Sequence, residues 1–170
     1  MDYFYENNEF YYSNFRNYIP WVLDFTNKSI QYNLNRALNI IKDSVSDEMQ
    51  DVLFYDNLIK LAPDDESKQI IESIRDDEKI HDKILKNVFT YLTGVVLQPN
   101  TQNAEYKKTS YIDGIKSAFK GELNAIEKYR ELLAYMPNKN LSTMIMYILT
   151  DEIKHASKYN YLITCYYAKN

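Results

Sequence analysis

The chain holds two histidines, and both close a Glu-x-x-His tetrad: Glu78-Lys79-Ile80-His81 and Glu152-Ile153-Lys154-His155. Positions three apart on an α-helix differ by about 60° and ~4.5 Å of rise, so both side chains of a tetrad can reach one ion. A lone tetrad would read as a surface ion pair. Two tetrads that use every histidine of the chain read as a constellation. Mixed imidazole and carboxylate donors suit iron or manganese and tolerate zinc.

The tetrads are 74 positions apart, and the same shift superposes Glu48 on Glu122, Tyr55 on Tyr129, Leu58 on Leu132, Pro63 on Pro137 and Asp77-Glu78 on Asp151-Glu152 without a gap. Two copies of so long a unit indicate a duplicated helical hairpin rather than a solenoid. Glu48 and Glu78 lie fifteen positions either side of Pro63, and Glu122 and Glu152 flank Pro137 equally. In an antiparallel hairpin equal distance from the turn means equal height, here roughly 22 Å from it at 1.5 Å per residue. The acids also interrupt apolar stripes: Val45, Val52 and Tyr55 surround Glu48, while Phe119, Ile126 and Tyr129 surround Glu122. Four carboxylates buried together lose hydration and repel at a cost of several kcal/mol per ion. Two divalent cations balance their charge.

The elements that must position these residues follow from the same periodicity. Leu38, Ile41, Val45, Val52, Tyr55 and Ile59 recur at helical spacing until Ala62-Pro63-Asp64-Asp65 interrupts, since proline lacks the amide and restricts the residue before it. Asp64 or Asp65 caps a second helix, whose stripe from Ile70 to Leu92 ends at Gly94, a glycine suited to helix termination. A third helix is expected from about Ser110 to Met136 and a fourth from about Lys139 to Tyr167, with Pro137-Asn138 as the turn. Residues 95 to 109 are too polar and broken for a core helix and suit a crossover along the bundle. On helix three, Gly114, Ala118, Gly121 and Ala125 form a stripe of small residues, the signature of close helix approach.

These elements make an all-α chain, a four-helix bundle over residues 30–170 preceded by an aromatic arm, residues 1–29, that carries Tyr3, Phe4, Tyr5, Phe10, Tyr11, Tyr12, Phe15, Tyr18 and Trp21. Pro20 is placed to start a short helix through Val22, Leu23 and Phe25, and the arm is expected to pack on the bundle or on a neighbouring subunit. A length of 170 residues with 45% apolar content suits one core, and the three glycines and four prolines favour long helices. The net charge of -4, with both signs interspersed, offers no basic stripe for nucleic acid and no polybasic cluster for a membrane. No apolar run approaches the roughly 20 residues that span a bilayer, and the N-terminus has no secretory pattern, so a cytoplasmic location is expected. Cys165 stands alone, which rules out an internal disulfide and a paired-cysteine iron or zinc centre. Any redox partner is then a separate protein, and Cys165 is expected to pack as a small hydrophobe.

Glu48 with Tyr55, Asp77-Glu78-x-x-His81, Glu122 with Tyr129, and Asp151-Glu152-x-x-His155 together resemble the ferritin-like superfamily and, within it, the rubrerythrin-like proteins, over residues from about 35 to 168. The resemblance implies a bundle of two antiparallel helical hairpins with two iron ions at its centre, manganese or zinc being alternatives. It implies Glu48 and Glu122 as terminal or shifting ligands, Glu78 and Glu152 as bridges, and His81 and His155 on one ion each. It further implies reduction of hydrogen peroxide through a separate electron-donor protein. The alternatives are a ferroxidase or iron-handling protein using dioxygen, and a metal-braced structural protein of the spore, since the arm resembles ferritin-like proteins of spore formers. Homodimerisation is expected. Tyr55 and Tyr129 could hydrogen-bond a ligand carboxylate of the opposite hairpin, and Asp77 and Asp151, four before the histidines, could orient them. Three residues after the third-helix glutamate, where rubrerythrin-like enzymes carry an extra carboxylate, this chain has Ala125, whereas Asp51 stands three after Glu48.

Overall fold

In the computed structural model, which describes residues 27–98 and 109–169, four helices account for nearly all of the described residues: α1 Asn27–Leu61, α2 Asp65–Thr93, α3 Tyr111–Ala134 and α4 Lys139–Lys169. The aromatic arm before Asn27, the helix expected from Pro20, and residues 99–108 of the expected crossover lie outside the described residues. Among the described residues no helix is long and apolar enough to cross a membrane.

The helix ends follow from local chemistry. Asp64 is the N-cap of α2, its side chain accepting from the Ser67 amide at 2.9 Å, which satisfies one of the amides a helix start leaves unpaired. At the other end Gly94 adopts φ 72°, the left-handed cap conformation, and its amide donates to the Thr90 carbonyl at 2.8 Å. Ser110 caps α3 by accepting from the Asp113 amide, and the Asn138 side chain accepts from the Leu141 amide at the start of α4. The third helix ends at Ala134, two residues before the expected Met136, because Tyr135 already turns its amide onto Leu132 in the tighter terminal turn.

Both hairpins are antiparallel, and α1 also runs antiparallel to α3: Tyr55 meets Glu122 while Tyr129 meets Glu48. Consequently α3 must begin where α1 ends. Tyr111 packs in one apolar cluster with Leu58 and Ile71 beside the Pro63 turn, whereas Gly94 lies at the far end of the 29-residue α2, a distance of about 43 Å at 1.5 Å per residue. Gly94 and Ser110 therefore lie at opposite ends of the bundle. This is the ferritin-like topology, two hairpins joined by a long crossover.

The apolar interior is in two parts. Ile41, Val45, Leu85, Val88, Leu132, Ile145 and Ile148 form one cluster, and Leu58, Ile71, Ile74, Ile115, Tyr159 and Leu162 form the other. The polar layer described below lies between them, so each part seals one end of it from water.

The small-residue stripe of α3 serves two purposes. A Cβ on Gly114 would come within 2.2 Å of Leu58 Cδ2, so close approach of α1 is the reason for that glycine; at Gly121 nothing lies within 4 Å. Gly114→Ala should destabilise the protein by about 1–3 kcal/mol through overpacking. Gly121→Ala should stabilise it by up to about 1 kcal/mol through helix propensity. Denaturant midpoints of the two variants in the metal-free protein check both signs.

Candidate metal centre

Each helix delivers one glutamate to the same level of the bundle, and all four are buried: Glu48 at 5% exposure, and Glu78, Glu122 and Glu152 at 2% each. The two histidines come from α2 and α4 and are fully buried. The tetrad spacing puts His81 beside its own glutamate, its Nδ1 at 2.8 Å from Glu78 Oε2, and the same nitrogen lies 3.1 Å from Glu152 Oε1 and 4.0 Å from Glu48 Oε2. On the other side, His155 Nδ1 stands 3.1 Å from Glu78 Oε1, 3.7 Å from Glu122 Oε2 and 3.8 Å from Glu152 Oε2. The donors fall into two sets, Glu48, Glu78, His81, Glu152 and Glu78, Glu122, Glu152, His155, each with ligand atoms within 4.8 Å of one another. Glu78 and Glu152 belong to both. The six residues expected from the sequence are thus brought together.

The neighbouring polar groups hold this cluster from outside. Tyr55 donates to Glu122 Oε1 at 2.8 Å, and Tyr129 makes the equivalent short bond to Glu48. Burial and the nearby negative charge hold both phenols above their ordinary range, so they remain donors. The imidazole Nδ1 atoms face the cluster, which turns the Nε2 atoms outward to the seam between α2 and α4. There His81 Nε2 meets Asp151 Oδ2 at 3.4 Å and His155 Nε2 meets Asp77 Oδ2 at 3.1 Å. The pairing is crossed: each aspartate faces the histidine of the other hairpin rather than the one four residues further along its own helix. An aspartate one turn back is too short to reach a ring edge that points across the seam, whereas the facing helix presents its aspartate at the right height.

Lys154 and Tyr147 were not expected. Lys154 bridges the two aspartates, at 2.6 Å from Asp151 Oδ1 and 3.1 Å from Asp77 Oδ2. Tyr147, 47% exposed, sets its ring edge-on to His81 with centroids 6.4 Å apart. Neither has a counterpart in the repeat, where Ile80 and Ser73 stand at the corresponding positions, so the signal that revealed the ligands could not reveal them. On the opposite face, between α1 and α3, a cavity of about 330 Å³ opens onto Glu48, Glu78, Glu122 and Glu152, with Asp47, Asp51, Gly121, Ala125 and Lys128 also in its wall.

The cluster's protonation follows from its crowding. Burial raises Glu48 well above the ordinary carboxylate range, and the charges of Glu78 and Glu152 add to it. Glu122 is likewise raised by burial and by Glu152, against the opposing effect of His155. Burial opposes the imidazolium of each histidine, yet the surrounding carboxylates outweigh it, lifting His81 to about 10 and His155 to about 12. Burial also acts to raise Glu78 and Glu152, but the imidazoliums win and both end below the usual range. Without metal the crowding thus holds protons on the two imidazoles and draws them towards Glu48 and Glu122, away from Glu78 and Glu152. Glu78 Oε1, Glu152 Oε1 and His155 Nδ1 are buried without a well-aligned hydrogen bond, and the contacts they do make are ion pairs, His155 Nδ1 with Glu78 Oε1 and His81 Nδ1 with Glu152 Oε1, at 3.1 Å each. Two divalent cations would engage the same atoms and balance the four carboxylates, so the donors fit a two-metal centre.

A rubrerythrin family model matches residues 39–163. The chain belongs to the rubrerythrin family. Solved structures agree on the fold. A dodecameric thioferritin, the bacterioferritin-related protein of Bacteroides fragilis, is similar with a TM-score of 0.66 at 16% identity, over 85% of this chain and 97% of that one. A conserved hypothetical protein of Mycobacterium tuberculosis gives a TM-score of 0.64 at 13% identity, over 75% of this chain and 97% of the other. A two-domain protein of Anabaena variabilis with DJ-1/ThiJ/PfpI-like and ferritin-like domains gives 0.58 at 17% identity over 85% of this chain. The rubrerythrin-family chain spans 39% of that protein. Among curated proteins none matches significantly.

The pKa shifts set the pH response of the metal-free protein. Stability from a group raised on folding is present below its unfolded value and lost as pH rises through its folded one; this applies to His81, His155, Glu48 and Glu122. Glu78 and Glu152, which are lowered, contribute above the ordinary 4.5 and lose that stability as pH falls through their folded values. The melting temperature of the metal-free protein should therefore fall as pH rises from the ordinary histidine value of 6.5 towards 10. Metal-loaded protein should instead lose stability on acidification, where protons compete for the ligands. Parallel melting curves for the two forms across this range would contradict the assignment.

Proposed function

We propose that the chain is a non-haem di-iron carboxylate protein that reduces hydrogen peroxide to water with electrons from a separate donor protein. The observation that carries this reading is the pair of donor sets, overlapping at Glu78 and Glu152, directly beneath a cavity large enough for a small oxidant. Bound there, two ferrous ions would supply the two electrons that, with two protons, convert one hydrogen peroxide into two waters. Manganese or zinc would fit the same donors.

The protein's own residues have distinct tasks in this proposal. Glu78 and Glu152, which belong to both donor sets, would hold both ions. Glu48 and Glu122 would hold one ion each, and each is restrained by one phenol, Tyr129 for Glu48 and Tyr55 for Glu122. His81 and His155 would bind one ion each through Nδ1, while Asp151 and Asp77 accept from their Nε2–H groups and fix the tautomer that leaves Nδ1 free for metal. The wall between α1 and α3 is open, so the oxidant can reach the bridging carboxylates without displacing a side chain of the α2–α4 seam. Metals that only braced the bundle would need no such opening. The chain is taken to act as a homodimer, which sedimentation would test; the dodecamer belongs to the Bacteroides protein.

Protein purified without chelators should contain close to two metal ions per chain by elemental analysis, and Glu78→Ala or Glu152→Ala should lower that content sharply, since a bridge serves both ions. Uptake of two divalent cations near neutral pH should release at least about two protons, from His81 and His155, whose pKa values are lifted to about 10 and about 12. Calorimetric titration in buffers of different ionisation enthalpy reads that number, and a release near zero would contradict the protonation pattern.

The ferrous protein should be oxidised by one hydrogen peroxide per two irons, much faster than by dioxygen, in stopped-flow absorbance. His81→Ala and His155→Ala should each slow that step severely while circular dichroism shows unchanged helix, whose stability comes from the apolar stripes. Oxidation by dioxygen at an equal or greater rate would favour iron handling, and no reaction with either oxidant would favour a structural role.

A further inference from the structure

The α2–α4 seam carries one unbroken line of contacts between the two donor sets. His81 Nε2 meets Asp151 Oδ2 at 3.4 Å, and Lys154 Nζ donates to Asp151 Oδ1 at 2.6 Å. The same ammonium lies 3.1 Å from Asp77 Oδ2, and that oxygen meets His155 Nε2 at 3.1 Å. Glu78 and Glu152 join the donor sets from within. This line joins them from outside, and Lys154 is its middle. The repeat supplies no second lysine for the purpose, since Ile80 stands at the equivalent position.

The geometry makes Lys154 more than a surface ion pair. It follows Asp151 by three residues on α4, about 60° round the helix, and α2 brings Asp77 to it across the seam. The Asp151 and Asp77 side chains are 13% and 22% exposed, against 46% for the lysine, so the carboxylates are largely withdrawn from water while the lysine stem reaches out to them. Exposed ion pairs contribute little, but here one cation serves two carboxylates at once. Oxygens so close to one nitrogen stand within about 6 Å of each other, where like charges repel unless a cation lies between them. Without Lys154 the two aspartates would part, and each of them holds the outer nitrogen of one histidine.

We propose that Lys154 is a positioning residue for both histidines: through Asp151 and Asp77 it aims His81 and His155 at the two metal positions, so that one side chain sets the metal affinity of both. The inference rests on the two-metal reading above. It carries a sign that separates position from charge. An ammonium near a bound cation repels it, so if charge were the whole effect, loss of Lys154 would tighten metal binding. Loss of position weakens it instead, at both places. Lys158, one turn further along α4, is the matched control, a seam lysine that donates to Ser73 at 2.8 Å rather than to the aspartates.

Titration of metal-free protein with Mn2+, with the free ion followed by electron paramagnetic resonance, tests this in two backgrounds: His155→Ala, which retains the position built on His81, and His81→Ala, which retains that built on His155. Lys154→Met should weaken binding about 10-fold or more in both backgrounds, and Lys154→Arg should restore it. Lys158→Met should leave binding unchanged or slightly tighter. Asp151→Asn should weaken only the His81 position and Asp77→Asn only the His155 position, each with a smaller effect once Lys154→Met is present. In metal-free protein, proton nuclear magnetic resonance should show two exchange-protected imidazole Nε2–H signals that Lys154→Met removes and Lys154→Arg returns. Unchanged or tighter Mn2+ binding by Lys154→Met would overturn the proposal, as would weakening confined to one background or imidazole signals that persist in that variant. Wild-type protein that binds no Mn2+ while the imidazole signals respond as expected would instead overturn the two-metal reading and leave the positioning role standing.

Discussion

Four glutamates and two histidines share one buried layer of the bundle, and their charge must be balanced largely inside that layer because burial leaves little solvent to screen it. Without metal, protons supply that balance, held on the two imidazoles and drawn towards Glu48 and Glu122. Two divalent cations would balance four carboxylates beside two neutral imidazoles. The convergence of six donors into two sets that share Glu78 and Glu152 is the structural reason to place metal there.

The rest of the bundle can be understood as what this layer requires. Two apolar clusters cap it above and below, so water can approach only from the sides. On one side the α2–α4 seam is closed by a chain of charge, Asp151 and Asp77 against the imidazoles and Lys154 across both. On the other, α3 presents glycine and alanine to the layer, and the cavity opens there. The two faces are therefore chemically opposite: a tight hydrogen-bonded wall that fixes the histidines and a loose wall through which a small molecule or an ion can pass. Gly114 and Gly121 divide along the same line, the first accommodating Leu58 where helices must touch and the second bordering open space.

Duplication explains both the symmetry and its limits. The phenols of Tyr55 and Tyr129 cross between hairpins to hold each other's glutamates, and the aspartates cross to hold each other's histidines. A single hairpin could supply neither set, so each half of the repeat is completed only by the other. Where the halves have diverged, at Asp51 against Ala125, Lys154 against Ile80 and Tyr147 against Ser73, the substitutions lie on the cavity wall or in the seam rather than among the shared ligands.

The clustering of the four glutamates and two histidines was legible in the sequence because a helix has a fixed period: three-residue spacing, fifteen residues from each proline and a gapless repeat set azimuth and height without knowledge of any partner. Helix ends were legible to within a residue or two because Asp64, Gly94 and Ser110 act through bonds to their own neighbours. The tyrosine bonds to the opposite glutamates were legible in kind, since symmetry demanded a partner across the bundle. What the sequence could not decide was anything that depends on the packing of one helix face against another. The crossing of Asp77 and Asp151 to the other hairpin's histidine, the place of Lys154 between them, the contact of Tyr147 with His81 and the open side of the cage all arise from interhelical distance and rotation. Those are set by side chains far apart in the chain, and only the assembled tertiary structure brings them to one place.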